Sequence, residues 1–254
     1  MSDARKLLHF LSKNRARISP LLILTHDYPD PDALAGAFGL QYLAEKHFSI
    51  QSRIAYGGVI GRVENRETVR ILKIPAFKLR PGDFKRYSHV ALIDTQPGFG
   101  NNSFPKQKKA ALVIDQHRSD IRPNAEFAVI DPDCGATSVI VARALLLQSK
   151  TISKDVATAL AYGILSDTLN LYRVSNPEVI STYSKILAFC GMKDLSRILN
   201  PAREKRFFIT LVRGIQNAVM ASHLLVTHLG DVDHPDLVSQ VADFLLTYRL
   251  ANWT

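Results

Sequence analysis

Cysteine is nearly absent: Cys134 and Cys190 are the only two in 254 residues, far apart and outside any CxxC pair. That excludes a disulfide framework and a cysteine-built zinc site, and it points to a reducing compartment. No apolar run approaches the roughly 20 residues needed to cross a bilayer. The stretch Leu7-Leu8-His9-Phe10-Leu11, next to Arg5 and Lys6, is interrupted and too short for a signal peptide's core. A cytoplasmic protein with no membrane partner is therefore expected. GxxxxGK[ST] is also missing, which sets aside a P-loop phosphoryl transferase. Long single-sign charge blocks, low-complexity tracts and internal repeats are lacking too, so nothing suggests disorder.

What is present is a chain that is 46% hydrophobic, long enough for one large domain or a main domain with a small appendage. Its net charge of +9 would raise the encounter rate with polyanions such as oligonucleotides, polyphosphate or an anionic membrane surface. The same charge would also serve merely to keep the surface soluble.

Residues 3–14 have helical spacing, and Pro20 interrupts them before Leu21-Leu22-Ile23-Leu24, a continuous apolar run of the kind buried on both faces of a parallel sheet. Helical periodicity resumes from Pro31 or Asp32 to Lys46, and Ile50 to Tyr56 alternates like a strand, which completes a βαβ unit. Val90-Ala91-Leu92-Ile93 and Ala110-Ala111-Leu112-Val113-Ile114 are further apolar runs, ending in Asp94 and Asp115. Helices are expected at 136–149, 154–166 and 177–189, then a long connector helix around 203–221, a strand at Leu224-Leu225-Val226 and a helix at 235–249 beyond a turn bracketed by Gly230 and Pro235. The fold class that follows is α/β: a mainly parallel sheet with helices on both faces, then a linker helix and the start of a second α/β domain. The expected division is 1–195, 196–222 and 223–254.

Four segments carry chemistry. In the first, a strand runs through Thr25-His26 into His26-x-x-x-Asp30-x-Asp32 and then a helix. Hard divalent cations want several carboxylate oxygens, and Mn²⁺ and its neighbours accept imidazole. The plainer reading is an acidic turn with Asp32 capping the helix. The second and third are Asp94-Thr95 and Asp115-Gln116-His117-Arg118, each at the end of a buried strand, where a lone Asp is ordinarily a turn or cap residue. In open α/β sheets ligands gather outside the carboxyl ends of strands, so three such ends bearing Asp, two of them with His, point to one site. The fourth is Asp167, which follows an apolar helical stretch where an unpaired carboxylate is costly to bury. Thr137 or Ser138, after Gly135, would offer phosphate donors at a helix start or act as an ordinary N-cap.

In order and spacing, these four segments from His26 to Asp167 resemble the motifs of the DHH phosphoesterases. The likeness is strongest to the oligoribonucleases that also act on phosphoadenosine phosphate, with exopolyphosphatases and manganese-dependent pyrophosphatases as more distant relatives. The resemblance implies a hydrolase using two Mn²⁺ or Mg²⁺ ions. His26, Asp30 and Asp94 would hold the first; Asp32, Asp94 and Asp167 the second, with Asp94 bridging. His117 would contact substrate, supported by Asp115, and Arg118 beside it would bind phosphate or remain a solvated surface residue. The substrate would be a short oligonucleotide or a nucleotide phosphate, and a homodimer is compatible with the resemblance.

Two departures stand out. Gln116 occupies the position where the family has a further histidine ligand of the second metal, which implies a weak second site. The segment from Leu224 to Tyr248 looks like the opening of the subgroup's C-terminal substrate-binding domain, without the glycine-rich, histidine-containing loop that normally follows. Either the chain is a fragment of a longer protein, or it is a member lacking half its cleft. The competing expectation is a catalytically weak or inactive DHH module that binds nucleic acid or a protein partner.

Overall fold

A computed structural model describes residues 2–232 and 236–254. In chain order the first elements are α1 (Asp3–Asn14), β1 (Leu21–Thr25), α2 (Pro31–Phe48), β2 (Ser52–Tyr56), α3 (Val63–Leu72), β3 (Ala76–Lys78), α4 (Asp83–Arg86), β4 (His89–Ile93), β5 (Ala110–Asp115) and β6 (Ala125–Ile130). There follow α5 (Thr137–Gln148), α6 (Lys154–Asp167), α7 (Pro177–Leu187), α8 (Met192–Leu199), α9 (Lys205–Gln216), β7 (Val219–Ala221), β8 (Leu224–Val226) and α10 (Asp236–Leu245). The chain divides into two compact units, Met1–Ile60 with Glu64–Asn200, and Gly61–Val63 with Pro201–Thr254.

The first unit is built on a six-stranded sheet in the order β3-β2-β1-β4-β5-β6, every pairing parallel. All five residues of β1 are buried, as a strand covered on both faces requires. Leu21 and Ile23 point into a core shared with α1, α2, α5 and α6, while Leu22 and Leu24 point into a second core with Tyr87 and Phe104. Strand order runs outward in opposite directions from β1 and β4. The carboxyl ends of those neighbours therefore flank a topological switch point, where such sheets leave a crevice for ligands.

The helices keep that crevice well defined. Pro31 begins α2 and Asp30 caps it, its Oδ1 accepting from Ala33 N at 3.0 Å. Gly163 on α6 allows an unusually close approach: a Cβ there would lie 2.5 Å from Ser138 Oγ and 3.2 Å from Asp32 Cα. Thus α6 meets the starts of both α2 and α5.

The second unit packs Leu225, Leu229, Val241 and Leu245 into its own small core. Here the structure departs from the sequence expectation. The helix predicted over 203–221 ends at Gln216, capped at Asn217, and the remainder forms β7, which pairs antiparallel with β8. Rather than serving as a connector over 196–222, α9 belongs to the second unit, and residues 192–199 form the separate α8. Helical spacing alone could not register the end at Gln216, because Ala218 and Met220 prolong the apolar pattern while packing on the second core from outside the helix. The helix predicted at 235–249 is observed as Asp236–Leu245, and Pro235 lies outside the described residues. No helix among the described residues is long and apolar enough to cross a membrane.

Candidate metal centre

The crevice gathers side chains from β1, β4, β5 and the helices behind them. His26 follows β1, and its Nδ1 donates to the Asp27 carbonyl at 2.9 Å, which turns Nε2 toward Asp30 Oδ1 at 3.7 Å and Asp94 Oδ2 at 3.5 Å. A second-sphere bond of that kind fixes the ring and leaves the other nitrogen as the ligand atom. One ligand atom from each of His26, Asp30 and Asp94 lies within 4.8 Å of the others, a spacing that a single cation could satisfy. Asp94, directly after β4, is held at φ +59°, a left-handed conformation uncommon outside glycine, and is almost fully buried.

Asp32, in the first turn of α2, is completely buried. Its Oδ2 accepts from Thr137 N at 2.6 Å and its Oδ1 from Ser138 N at 2.8 Å, so the amino end of α5 grips this carboxylate. The structure corrects the suggestion that those two donors are available to phosphate: a protein carboxylate already engages them. Thr137 Oγ1 donates to Asp94 Oδ1 at 2.7 Å. Asp167 closes α6, with its Oδ2 accepting from Gln116 Nε2 at 2.8 Å.

His117 Nδ1 lies 2.8 Å from Asp115 Oδ1 and 3.7 Å from Asp94 Oδ1, and its ring is half exposed. Asp94, Asp115 and His117 also come within 4.8 Å of one another through single ligand atoms. Asp115 is held on its other side by Gln96 Nε2 at 2.8 Å, and the same amide nitrogen reaches the His117 carbonyl at 2.8 Å. Arg118 is exposed beside the site. Gln96 was not singled out from the sequence, and Thr137 was singled out only as a phosphate donor or N-cap, not as a partner of Asp32 and Asp94. Gln96 lies two residues beyond Asp94, but a neutral amide in a turn gives no signal that it orients a carboxylate on the next strand.

Electrostatically the cluster is a set of carboxylates balanced by two imidazoles. Burial is the largest influence on His26 and lowers its pKa, but the adjoining Asp30 and Asp94 more than reverse this and raise it to about 11. Asp115 is the main cause of a rise in His117 to about 9. Burial pushes Asp167 up to about 7, helped by the charges of Asp30 and Asp94. Asp32 is raised well above the carboxylate range by burial, then by Asp94, Asp167 and Asp30. All four shifts are upward, and several displaced groups gathered in one crevice are the pattern that makes it a candidate functional site.

A family model for the N-terminal domain of the DHH family matches residues 20–164, more than half of the 254. The chain belongs to the DHH family. Among curated relatives, this DHH protein is 31% identical over 229 residues to an uncharacterized protein of Methanocaldococcus jannaschii, covering 90% of this chain and 47% of that one. It is 28% identical over 166 residues to a probable manganese-dependent inorganic pyrophosphatase of Streptococcus equi, covering 61% of this chain and 50% of the relative. The chain thus spans about half the length of the curated relatives it matches. A crystal structure of an exopolyphosphatase-related protein from Bacteroides fragilis has the same fold, with a TM-score of 0.71 and 14% identity, covering 99% of this chain and 79% of that one.

Proposed function

We propose that the chain carries the metal-binding half of a divalent-metal-dependent phosphoesterase acting on short oligonucleotides or nucleotide phosphates. The observation that carries this reading is the His26–Asp30–Asp94 cluster at the switch point of the sheet, backed by Asp32 and Asp167. The donor set fits a divalent ion of the Mn²⁺ or Mg²⁺ type: hard carboxylate oxygens with one imidazole and no thiolate. The Streptococcus relative, a probable manganese-dependent enzyme, favours manganese. Two ions are proposed, the second among Asp32, Asp94, Asp167 and the neutral amide of Gln116. Bound metal would polarise phosphoryl oxygens and make water more acidic.

The protein's own groups do the rest. Asp94, fixed by Thr137 Oγ1 and a left-handed backbone, would serve both metal positions. The α5 amino end holds Asp32 in one orientation, so assembling the site costs little reorganisation. His117, oriented through Asp115 and kept protonated by it, would offer its other nitrogen to a phosphoryl oxygen, where a donor stabilises charge developing in the transition state.

A second reading, a weak or inactive binding module, is favoured by one contact. Gln116 aims its N–H at Asp167 where a ligand atom would be expected to face a cation. The experiment that separates the two is hydrolysis of phosphoadenosine phosphate, a short RNA, pyrophosphate and polyphosphate by the purified chain, with Mn²⁺ and with EDTA. Metal-dependent release of phosphate or mononucleotide supports the phosphoesterase, and the substrate preferred names its class. Mn²⁺ binding without turnover of any of the four supports the binding module.

A further inference from the structure

Outside the metal cluster, the edge of the sheet beyond β2 concentrates the protein's charge. Between Arg53 and Arg86 the sequence has nine Lys or Arg against three Asp or Glu, so six of the nine net positive charges fall in this one segment. The same segment forms a cleft of about 350 Å³. Tyr56, Val59 and Val69 give it an apolar floor, Arg66, Arg70 and Lys78 supply cations, and no acidic residue lines it. Arg70 is paired with Glu67 at 2.9 Å, but Lys78 is exposed.

Tyr28 links this cleft to the metal cluster. It lies between His26 and Asp30 in sequence, and its backbone N–H donates to Gly57 O at 3.1 Å. Its ring packs on Gly58, a cleft residue, where a Cβ would stand 2.8 Å from the ring. Yet Tyr28 is 67% exposed and held at φ +59°, where a bulky side chain is out of place. A strained backbone that presents an aromatic ring to solvent beside a phosphate-ester site is accounted for if the ring meets a ligand.

We propose that Tyr28 and the Arg66–Lys78 cleft form a track for single-stranded nucleic acid leading away from the metal cluster, with bases on Tyr28 and the apolar floor and backbone phosphates on Arg66 and Lys78. An exposed aromatic ring beside a cationic groove suits a stacked base on a charged backbone. A polyanion without bases would use the cations and leave the aromatic surface uncovered. The proposal deepens the phosphoesterase reading, since it names what extends from the scissile phosphate, but binding at the track requires no turnover.

The test is fluorescence anisotropy with a labelled oligoadenylate 10-mer in EDTA across 50–200 mM salt, so that failure of hydrolysis cannot be mistaken for failure of the track. Doubly substituted Arg66→Ala, Lys78→Ala protein should bind roughly 10-fold more weakly, with a salt slope lower by about 1.4 for two lost single-strand phosphate contacts. Tyr28→Asn, which tolerates the left-handed backbone, should bind about 5- to 100-fold more weakly with the slope unchanged, as expected for lost stacking. Melting of each variant confirms the fold. Wild-type-like binding by the double variant, no binding by the wild type, or equal competition by polyphosphate of matched charge would each overturn the proposal.

Discussion

Gln116 Nε2 stands 2.8 Å from Asp167 Oδ2, so a neutral amide donates a hydrogen bond to a carboxylate that the resemblance assigns to the second metal. Burial and the charges of Asp30 and Asp94 raise Asp167 to about 7, and the Gln116 bond opposes that rise only in part. The contact therefore stabilises Asp167 without contributing charge or an imidazole ligand.

Gln116→His should restore a ligand at that position. Ligand and second-sphere changes at metal sites alter affinity about 10- to 100-fold, so the variant should reach half-maximal hydrolysis at roughly tenfold lower Mn²⁺ or below. The gap should narrow at saturating Mn²⁺, because mass action compensates for a weaker ligand set. Superimposable Mn²⁺ titrations of wild type and variant would remove Gln116 from the account of the second site.

The metal-free protein should lose stability as pH rises from 5 to 9. Asp167 has a folded-state pKa near 7, above its unfolded value, so its contribution is present at low pH and is lost as pH rises from about 4 through 7. His26 and His117 are also raised, to about 11 and about 9, so their stabilisation is present below the unfolded value near 6.5 and is lost as pH rises through those values. Both effects have the same sign. Thermal melting in EDTA should show a midpoint that falls steadily over this range, and Mn²⁺ should raise it most at the alkaline end. A midpoint that climbs with pH in EDTA would contradict the electrostatics described here.

Gly163→Ala should destabilise the protein by about 1–3 kcal/mol, the usual cost of overpacking. The added methyl would meet Ser138 Oγ at 2.5 Å and Asp32 Cα at 3.2 Å, forcing the amino ends of α5 and α2 apart. Because Asp32 is held by Thr137 N and Ser138 N, Mn²⁺ affinity should drop along with the melting midpoint. A variant that melts early yet binds Mn²⁺ as tightly as wild type would show that this junction supports the fold and not the site.

Much of the first unit was legible because its signals are local. The apolar runs at Leu21, Val90 and Ala110 became β1, β4 and β5, and the Asn176-Pro177 start became the capped end of α7. The edge elements were not anticipated: β3 is three residues long with Phe77 and Lys78 exposed, and β6 alternates only partly, so neither gives a strong period. At the site, charged residues at strand ends were visible in the sequence. The role of their holders was not: Gln96 gave no signal, and Thr137 and Ser138 were visible only as phosphate donors or caps, because the carboxylates they bind are distant in sequence, as with Ser138 and Asp32, 106 residues apart.

Asp94→Asn should abolish hydrolysis more completely than Asp167→Asn, because Asp94 faces both His26 and His117 whereas Asp167 lies to one side with Gln116. Asparagine tolerates the left-handed backbone at this position, and melting in EDTA confirms that each variant is folded before rates are compared. Equal residual rates at equal metal content would contradict the bridging role.

The central claim is that the His26–Asp30–Asp94 cluster binds a divalent metal and that hydrolysis depends on it. Equilibrium dialysis against Mn²⁺, with phosphoester hydrolysis assayed on the same samples, tests it in wild type and Asp94→Asn. Bound Mn²⁺ and metal-dependent turnover are expected in the wild type, and the loss of both in a variant whose melting in EDTA shows that it is folded. Undiminished Mn²⁺ binding by Asp94→Asn, or wild-type hydrolysis that persists in EDTA, would contradict it.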